Sequence, residues 1–231
     1  MRIGGLQPVT LLDYPQKVAA IIFTTGCNMR CPFCYNPDLV LDDLIAQNRE
    51  FDYSEMVSFL VRRKKYLDAL VVTGGEPTLQ PGLLKFLKKM KKIGYLIKLD
   101  TNGLNYSVLE ILIKEGLIDY LAMDIKGSLA HYQDFCGLAV NTENIERSIA
   151  LVKQSGLDYE FRSTLVKGLH RKNDILAMAQ AIGWVKKYFL QNFDSPGKLV
   201  SSDFSGRPFG PKEREKILDL VLPIVGNCQW R

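Results

Sequence analysis

The chain alternates short apolar, β-branched runs with longer stretches in which apolar residues recur every three or four positions. The short runs at 18–24, 69–73, 96–100, 120–125, 159–166 and 185–191 read as strands. The longer stretches at 53–65, 83–93, 107–115, 142–154, 175–181 and 211–221 read as amphipathic helices, several of them opened by Ser, Thr, Asn or Asp. Gly94, Gly116 and Gly156 each close one. Strands that are apolar almost throughout are buried on both faces, as in a parallel sheet covered by helices. Six strand-helix units predict an α/β fold, a partial (β/α)6 TIM-like barrel of parallel strands with outer helices. Residues 1–231 are expected to form a single domain, with the barrel core at 18–193 and an extension at 194–231 that carries the last helix. Residues 37–52 interrupt the pattern and read as a lid or packing segment.

In parallel α/β folds ligands bind where the strands end, because loops and helix N-termini converge there. The unusual residues of this chain fall at those ends. Cys27, Cys31 and Cys34 follow the first strand with the spacing CxxxCxxC, and Gly74-Gly75-Glu76-Pro77 follows the second. Asp100-Thr101-Asn102-Gly103 follows the third, Asp124-Ile125-Lys126-Gly127 ends the fourth, and Arg162 lies on the fifth. Three thiolates this close are metal ligands, and iron and zinc sites are usually closed by four. No fourth Cys or His stands nearby, so the trio leaves a coordination position open. A bland reading stays available for each feature: a zinc knuckle completed from afar by His131, His170 or Cys136, an ordinary turn at Gly74-Gly75, and structural ion pairs at Asp124, Lys126 and Arg162.

Composition narrows the class. The 231 residues are 47% hydrophobic, enough for one sizeable core. The net charge of +5 gathers at 62–65, 85–92 and 186–187, on predicted helices, and reads as solvated helix faces or as a docking surface for an acidic partner. Basic residues do not interleave with aromatics, so no nucleic-acid partner is expected. No apolar run reaches membrane-spanning length, and the first residues lack the apolar core of a signal peptide. Cys136 and Cys228 form no disulfide framework, which points to unmodified thiols in a reducing, cytoplasmic setting. His131 and His170 lie in polar, loop-like surroundings and read as surface residues.

With these residues in view, the chain resembles the radical S-adenosylmethionine superfamily. CxxxCxxC with Phe33 before the last Cys is similar to its cluster motif, and Gly74-Gly75-Glu76-Pro77 is similar to its GGEP motif. The stretches at 3–7, 12–15 and 31–37 are similar to activating proteins of glycyl-radical enzymes, above all those of anaerobic ribonucleoside-triphosphate reductase. Asp100-Thr101-Asn102-Gly103 and Asp124-Ile125-Lys126 resemble motifs of pyruvate formate-lyase activating enzymes.

The resemblance implies an oxidoreductase in which Cys27, Cys31 and Cys34 hold a 4Fe-4S cluster, and S-adenosylmethionine (SAM) chelates the remaining iron. Reductive cleavage would then yield a 5′-deoxyadenosyl radical that takes a hydrogen atom from a glycine Cα of the partner, a step that needs no protein base. The cofactor residues implied are Phe33, Cys34, Tyr35, Gly74, Gly75, Glu76, Asp100, Asn102, Asp124, Lys126 and Arg162. Among them Phe33 would face the adenine, Gly74 and Gly75 would admit the methionine moiety, and Glu76 would accept from its ammonium. Lys126 and Asn102 would reach the ribose, and Arg162 a carboxylate. Asp100, Thr101 and Asp124 would be ligands of a monovalent or divalent cation beside SAM. One departure stands out: pyruvate formate-lyase activating enzymes carry a His near the end of the sixth strand, where this chain has Leu190-Gln191-Asn192-Phe193.

The implied partners are a large glycyl-radical enzyme, anaerobic ribonucleotide reductase or else pyruvate formate-lyase, and a flavodoxin or ferredoxin as electron donor. Residues 195–209 are expected to shape the mouth for the partner's glycine loop. A small-molecule radical enzyme of the carboxy-deazaguanine synthase type and a non-catalytic iron-sulfur or zinc module are the rival readings.

Overall fold

The computed structural model describes residues 1–48, 51–194 and 197–231. Residues 49, 50, 195 and 196, which belong to the segments singled out at 37–52 and 195–209, lie outside the described residues. Among the described residues the strands are β1 (Ile3–Thr10), β2 (Ala19–Thr24), β3 (Ala69–Gly74), β4 (Leu96–Thr101), β5 (Tyr120–Asp124), β6 (Asp158–Leu165), β7 (Tyr188–Asn192) and β8 (Cys228–Trp230). The helices are α1 (Pro37–Val40), α2 (Asp42–Gln47), α3 (Tyr53–Arg63), α4 (Leu83–Ile93), α5 (Tyr106–Lys114), α6 (Tyr132–Cys136), α7 (Thr142–Gln154), α8 (Lys172–Ile182) and α9 (Pro211–Val225). Strand order in the sheet follows chain order from β1 to β8.

Two compact units share β5. The first comprises Met1–Asn28, Asn36–Thr101 and Asn105–Leu121, and the second Met29–Tyr35, Asn102–Leu104 and Ala122–Arg231. In the first, β2, β3 and β4 run parallel, and β1 pairs antiparallel with β2. One face of β2 and β3 packs Ala19, Ile21, Ala69 and Val71 with Tyr14 and Tyr120. The other face, Ala20, Ile22, Leu70 and Val72, is buried as well, which is why these strands read as continuous apolar runs rather than alternating ones. Asp52 caps α3 by accepting from Glu55 N–H at 2.8 Å, and Gly94 ends α4 in the left-handed region that favours glycine. Within the 37–52 segment, residues 37–48 serve packing: Val40 and Ile45 are buried, and Leu39 accepts from Gly26 N–H at 2.7 Å.

In the second unit β6, β7 and β8 are parallel. Phe161, Tyr188 and Leu190 are fully buried there, together with Ile145, Val152, Met178 and Val221 from the helices. Tyr188 Oη donates to Ser163 Oγ at 2.9 Å, and Ser163 Oγ to Ile125 O at 2.7 Å, so a line of hydroxyls ties β7 through β6 to the end of β5. Asn192 holds Phe209 by its backbone N–H and C=O, at 2.9 and 3.1 Å. Residues at the end of β7 are thus committed to fastening the approach to α9.

Candidate functional site

The first unit builds the approach to Cys27. Gly75 N–H donates to Thr24 O at 2.9 Å and Glu76 N–H to Gly26 O at 2.8 Å, so the turn after β3 is laced to the loop after β2. A Cβ on Gly75 would overlap the Gly26 carbonyl, and one on Gly74, whose φ is +112°, would overlap Thr24 backbone. The two glycines are therefore required by the loop that carries Cys27, a reason beyond the access expected for a ligand. Glu76 is fully buried, and its Oε1 accepts from Thr78 N (3.0 Å), Thr78 Oγ1 (2.6 Å) and Thr101 Oγ1 (2.8 Å). Those three donors satisfy the buried carboxyl oxygen. Gln80 braces the same loop from behind, donating to Thr25 O at 2.6 Å and accepting from Arg2 N–H at 2.8 Å. Asp100 lies 3.7 Å from the buried Lys98 ammonium, which also donates to Asp13 O at 2.6 Å.

The second unit holds the remainder of the cysteine loop. Cys34 N–H donates to Cys31 O at 3.0 Å, which closes a turn with a thiol at either end. Cys31 is buried and Cys34 partly so. The turn is gripped on both sides: Arg30 N–H donates to Cys136 O at 2.7 Å, and Val200 N–H donates to Cys34 O at 2.9 Å. Segment 197–210 thus serves as a brace for the cysteine turn. The Phe33 ring is buried, edge-on to His170 at 6.0 Å and tilted against Phe204 at 6.3 Å, while Tyr35 is exposed. Asn102 turns its Oδ1 to Leu104 N–H at 3.0 Å.

Asp124, Lys126 and Arg162 form one cluster. Arg162 Nε donates to Asp124 Oδ1 at 2.9 Å, and Lys126 Nζ to Asp124 Oδ2 at 3.2 Å. Burial pushes the Asp124 carboxyl up, but the Arg162 and Lys126 charges more than offset that and hold its pKa down to about 2. Burial likewise works against the Lys126 ammonium; Asp124, helped by Cys31, raises its pKa overall. Both groups stay charged across the working range. The ion-pair geometry weighed for these residues is thus present, and Asp124 already has two cationic neighbours where a metal cation was expected. The backbone of Lys126 is pinned as well, its N–H donating to Tyr132 Oη at 3.1 Å and its C=O accepting from His170 Nε2 at 2.8 Å.

His170 corrects the expectation of a surface residue. It is 4% exposed and stacks on Phe135 at 4.8 Å between centroids. Val166 N–H points into Nδ1 at 3.0 Å, which fixes the neutral tautomer with its proton on Nε2. Burial lowers the His170 pKa, partly opposed by the Lys126 carbonyl. Its polar neighbours in sequence hid this, because the rings that cover it come from residues far along the chain. Gln80 was missed for the same reason.

All five cysteines are free thiols. Among the described residues no three His, Cys, Asp or Glu side chains are already gathered to metal-binding geometry, so the fit to a cluster rests on the donor set. Three thiols within eight residues of one loop suit iron or zinc. The close approach that bars a Cβ from Gly75 is to the backbone of Gly26, the residue directly before Cys27.

Solved structures define the class first: a parallel α/β sheet with helices between its strands. Streptococcus suis SuiB bound to S-adenosylmethionine aligns with a TM-score of 0.68 at 14% identity, over 91% of this chain and 49% of that one. The family model for the Radical SAM superfamily matches residues 21–181, and the chain belongs to that superfamily. It is homologous to activating enzymes of glycyl-radical enzymes. A protein of Methanocaldococcus jannaschii, provisionally named as a glycyl-radical enzyme activating enzyme, is 34% identical over 92% of this chain and 88% of its own length. The pyruvate formate-lyase-activating enzyme of Clostridium pasteurianum is 33% identical over 54% of this chain and 52% of its own length. The chain spans about half of that enzyme. Among the described residues no helix is long and apolar enough to cross a membrane.

Two outcomes are expected. Gly75→Ala must displace the Gly26 carbonyl at a strain of about 1–3 kcal/mol, and iron bound after anaerobic reconstitution should drop, whereas Gly197→Ala, which meets nothing within 4 Å, should bind iron like the parent. For His170 the folded pKa lies below the unfolded value of about 6.5, so the unfolded chain takes up a proton that the folded chain refuses. That contribution to stability is whole above about pH 6.5 and lost as pH falls below it. The melting temperature should decline from pH 7 to pH 5.5, and His170→Gln should flatten that part of the profile in thermal denaturation read by circular dichroism.

Proposed function

We propose that the chain holds a 4Fe-4S cluster on Cys27, Cys31 and Cys34, binds SAM beside it, and installs a glycyl radical on anaerobic ribonucleoside-triphosphate reductase. The observation that carries this reading is the cysteine loop: three free thiols within eight residues, laced at Gly26 to the Gly75-Glu76 turn. When bound, cluster and SAM supply a 5′-deoxyadenosyl radical, the reagent that removes a hydrogen atom from a glycine Cα.

The chain's own residues hold and orient. Glu76, set in place by Thr78 and Thr101, offers a fixed carboxylate to an ammonium group. With the Phe33 ring packed on His170 and Phe204, the backbone of the 31–35 turn is the part that presents to an adenine. Lys126, its backbone pinned by Tyr132 and His170, reaches toward ribose, and Arg162 toward a carboxylate. The positive charge that a cation would bring to Asp124 is supplied by these two side chains. Asn192, engaged with Phe209, takes no part. In this reading a cytoplasmic flavodoxin or ferredoxin supplies the electron.

The choice of the reductase rests on the stretches at 3–7, 12–15 and 31–37. Pyruvate formate-lyase is the second reading, favoured by the likeness to the Clostridium pasteurianum enzyme over about half of each chain. Reconstituted, reduced protein with SAM should generate a glycyl doublet in electron paramagnetic resonance when mixed with anaerobic ribonucleotide reductase, and none with pyruvate formate-lyase. A doublet on the lyase alone would move the assignment to the second reading. Formation of 5′-deoxyadenosine with no doublet on either would overturn the activase reading.

A further inference from the structure

Strand β6 carries a buried carboxylate, Glu160, that the cofactor assignment leaves unused. Glu160 is fully buried and lies two residues before Arg162, hence on the same face of the strand. Arg231 grips it with both prongs, Nη1 to Oε1 and Nη2 to Oε2, each at 3.2 Å. Arg231 is itself fixed: its guanidinium lies 3.4 Å over the Phe189 ring, and its backbone N–H donates to Leu190 O at 2.9 Å. Arg162 stands between two acids, with Nε 2.9 Å from Asp124 Oδ1 and Nη1 3.9 Å from Glu160 Oε1. From Lys126 to Arg231 the charges therefore alternate in sign along five side chains.

We propose that Glu160 and Arg231 are positioning residues that decide which carboxylate Arg162 serves. The contact at 2.9 Å is a full charge-assisted hydrogen bond, whereas 3.9 Å is outside hydrogen-bond range. That asymmetry has a physical source. Each oxygen of Glu160 is held by a prong of Arg231, so its pull on Arg162 is partly spent. Remove Arg231, and a fully buried carboxylate loses two hydrogen bonds, a costly state that draws in the guanidinium already beside it. Arg162 Nη1 then closes on Glu160, its Nε leaves Asp124, and Lys126 is left to neutralise Asp124 by itself. Neither Arg162 nor Lys126 remains where a bound carboxylate or ribose would meet it. This functional consequence rests on the proposed cofactor roles of those two residues; the rearrangement itself does not.

The test uses Arg231→Ala, Glu160→Gln and the double variant, each as the full chain, with two readouts. The first is the side-chain Nε–H signal of Arg162 in nuclear magnetic resonance, assigned by its disappearance in Arg162→Lys. It should shift in Arg231→Ala and return in the double variant, where the competing charge is gone. The second is the apparent KM for SAM in 5′-deoxyadenosine formation, which should rise about tenfold in Arg231→Ala with little change in kcat, and recover to within about twofold in the double variant. If Arg231 merely anchors β8, the double variant will be no better than Arg231→Ala. That result, or an Arg162 signal unmoved by Arg231→Ala, overturns the proposal. Should the parent form no 5′-deoxyadenosine, the proposed function fails, while the resonance readout still decides the positioning roles.

Discussion

Where the backbone of Gly75 passes the Gly26 carbonyl there is no room for a side chain on Gly75, and the Glu76 N–H uses that closeness to donate to the same carbonyl at 2.8 Å. Every other feature of the first unit's contribution follows from this approach. It fixes the residue before Cys27, and it delivers Glu76 to a buried position that its own strand could not specify. There Thr78 and Thr101 supply the donors that a buried carboxyl oxygen needs. Gln80 completes the arrangement by holding the Thr25 carbonyl and the Arg2 amide with the two ends of one amide group. A loop held by backbone on one side and by a buried side chain on the other can present a thiol with little freedom, as a metal ligand requires.

The second unit reaches the same end through charge. Buried ion pairs contribute little net stability, because the cost of taking both charges out of water nearly cancels their attraction. What the row from Lys126 to Arg231 contributes is orientation: each side chain has an opposite charge on its flank, and a change at one place is felt by its neighbours. His170 belongs to this design although it stays neutral. It holds the Lys126 carbonyl, packs on Phe33 within the cysteine turn, and so links the charged row to the loop that carries Cys31 and Cys34.

How much of this was legible in the sequence depends on whether a feature is local. Helices α4 and α7 match their predicted bounds, because amphipathic periodicity and terminal caps are properties of the segment alone. Strand β1 escaped notice, since Ile3–Thr10 holds two glycines and a proline and is a strand by virtue of its pairing with β2. Strand β8, three residues long, gives no periodic signal at all. Helix α9 runs to Val225, past its expected end at 221 and through Pro223, because the bond that the proline cannot make would go to Asp219, an exposed residue. Within the site, residue types and spacing revealed the thiols, the glycines and the acidic strand ends. The partners of those groups, Gln80, His170, Tyr132 and Arg231, were hidden because each meets its target from a distant part of the chain.

The central claim is that three thiolates of one loop leave an iron open to SAM. Electron-nuclear double resonance on the reduced, reconstituted protein with SAM isotopically labelled at its amino nitrogen tests it most directly. A hyperfine coupling from that nitrogen to the cluster is the result this account predicts, and it should vanish when S-adenosylmethionine is left out. A reduced cluster whose spectrum is indifferent to labelled SAM would contradict the account.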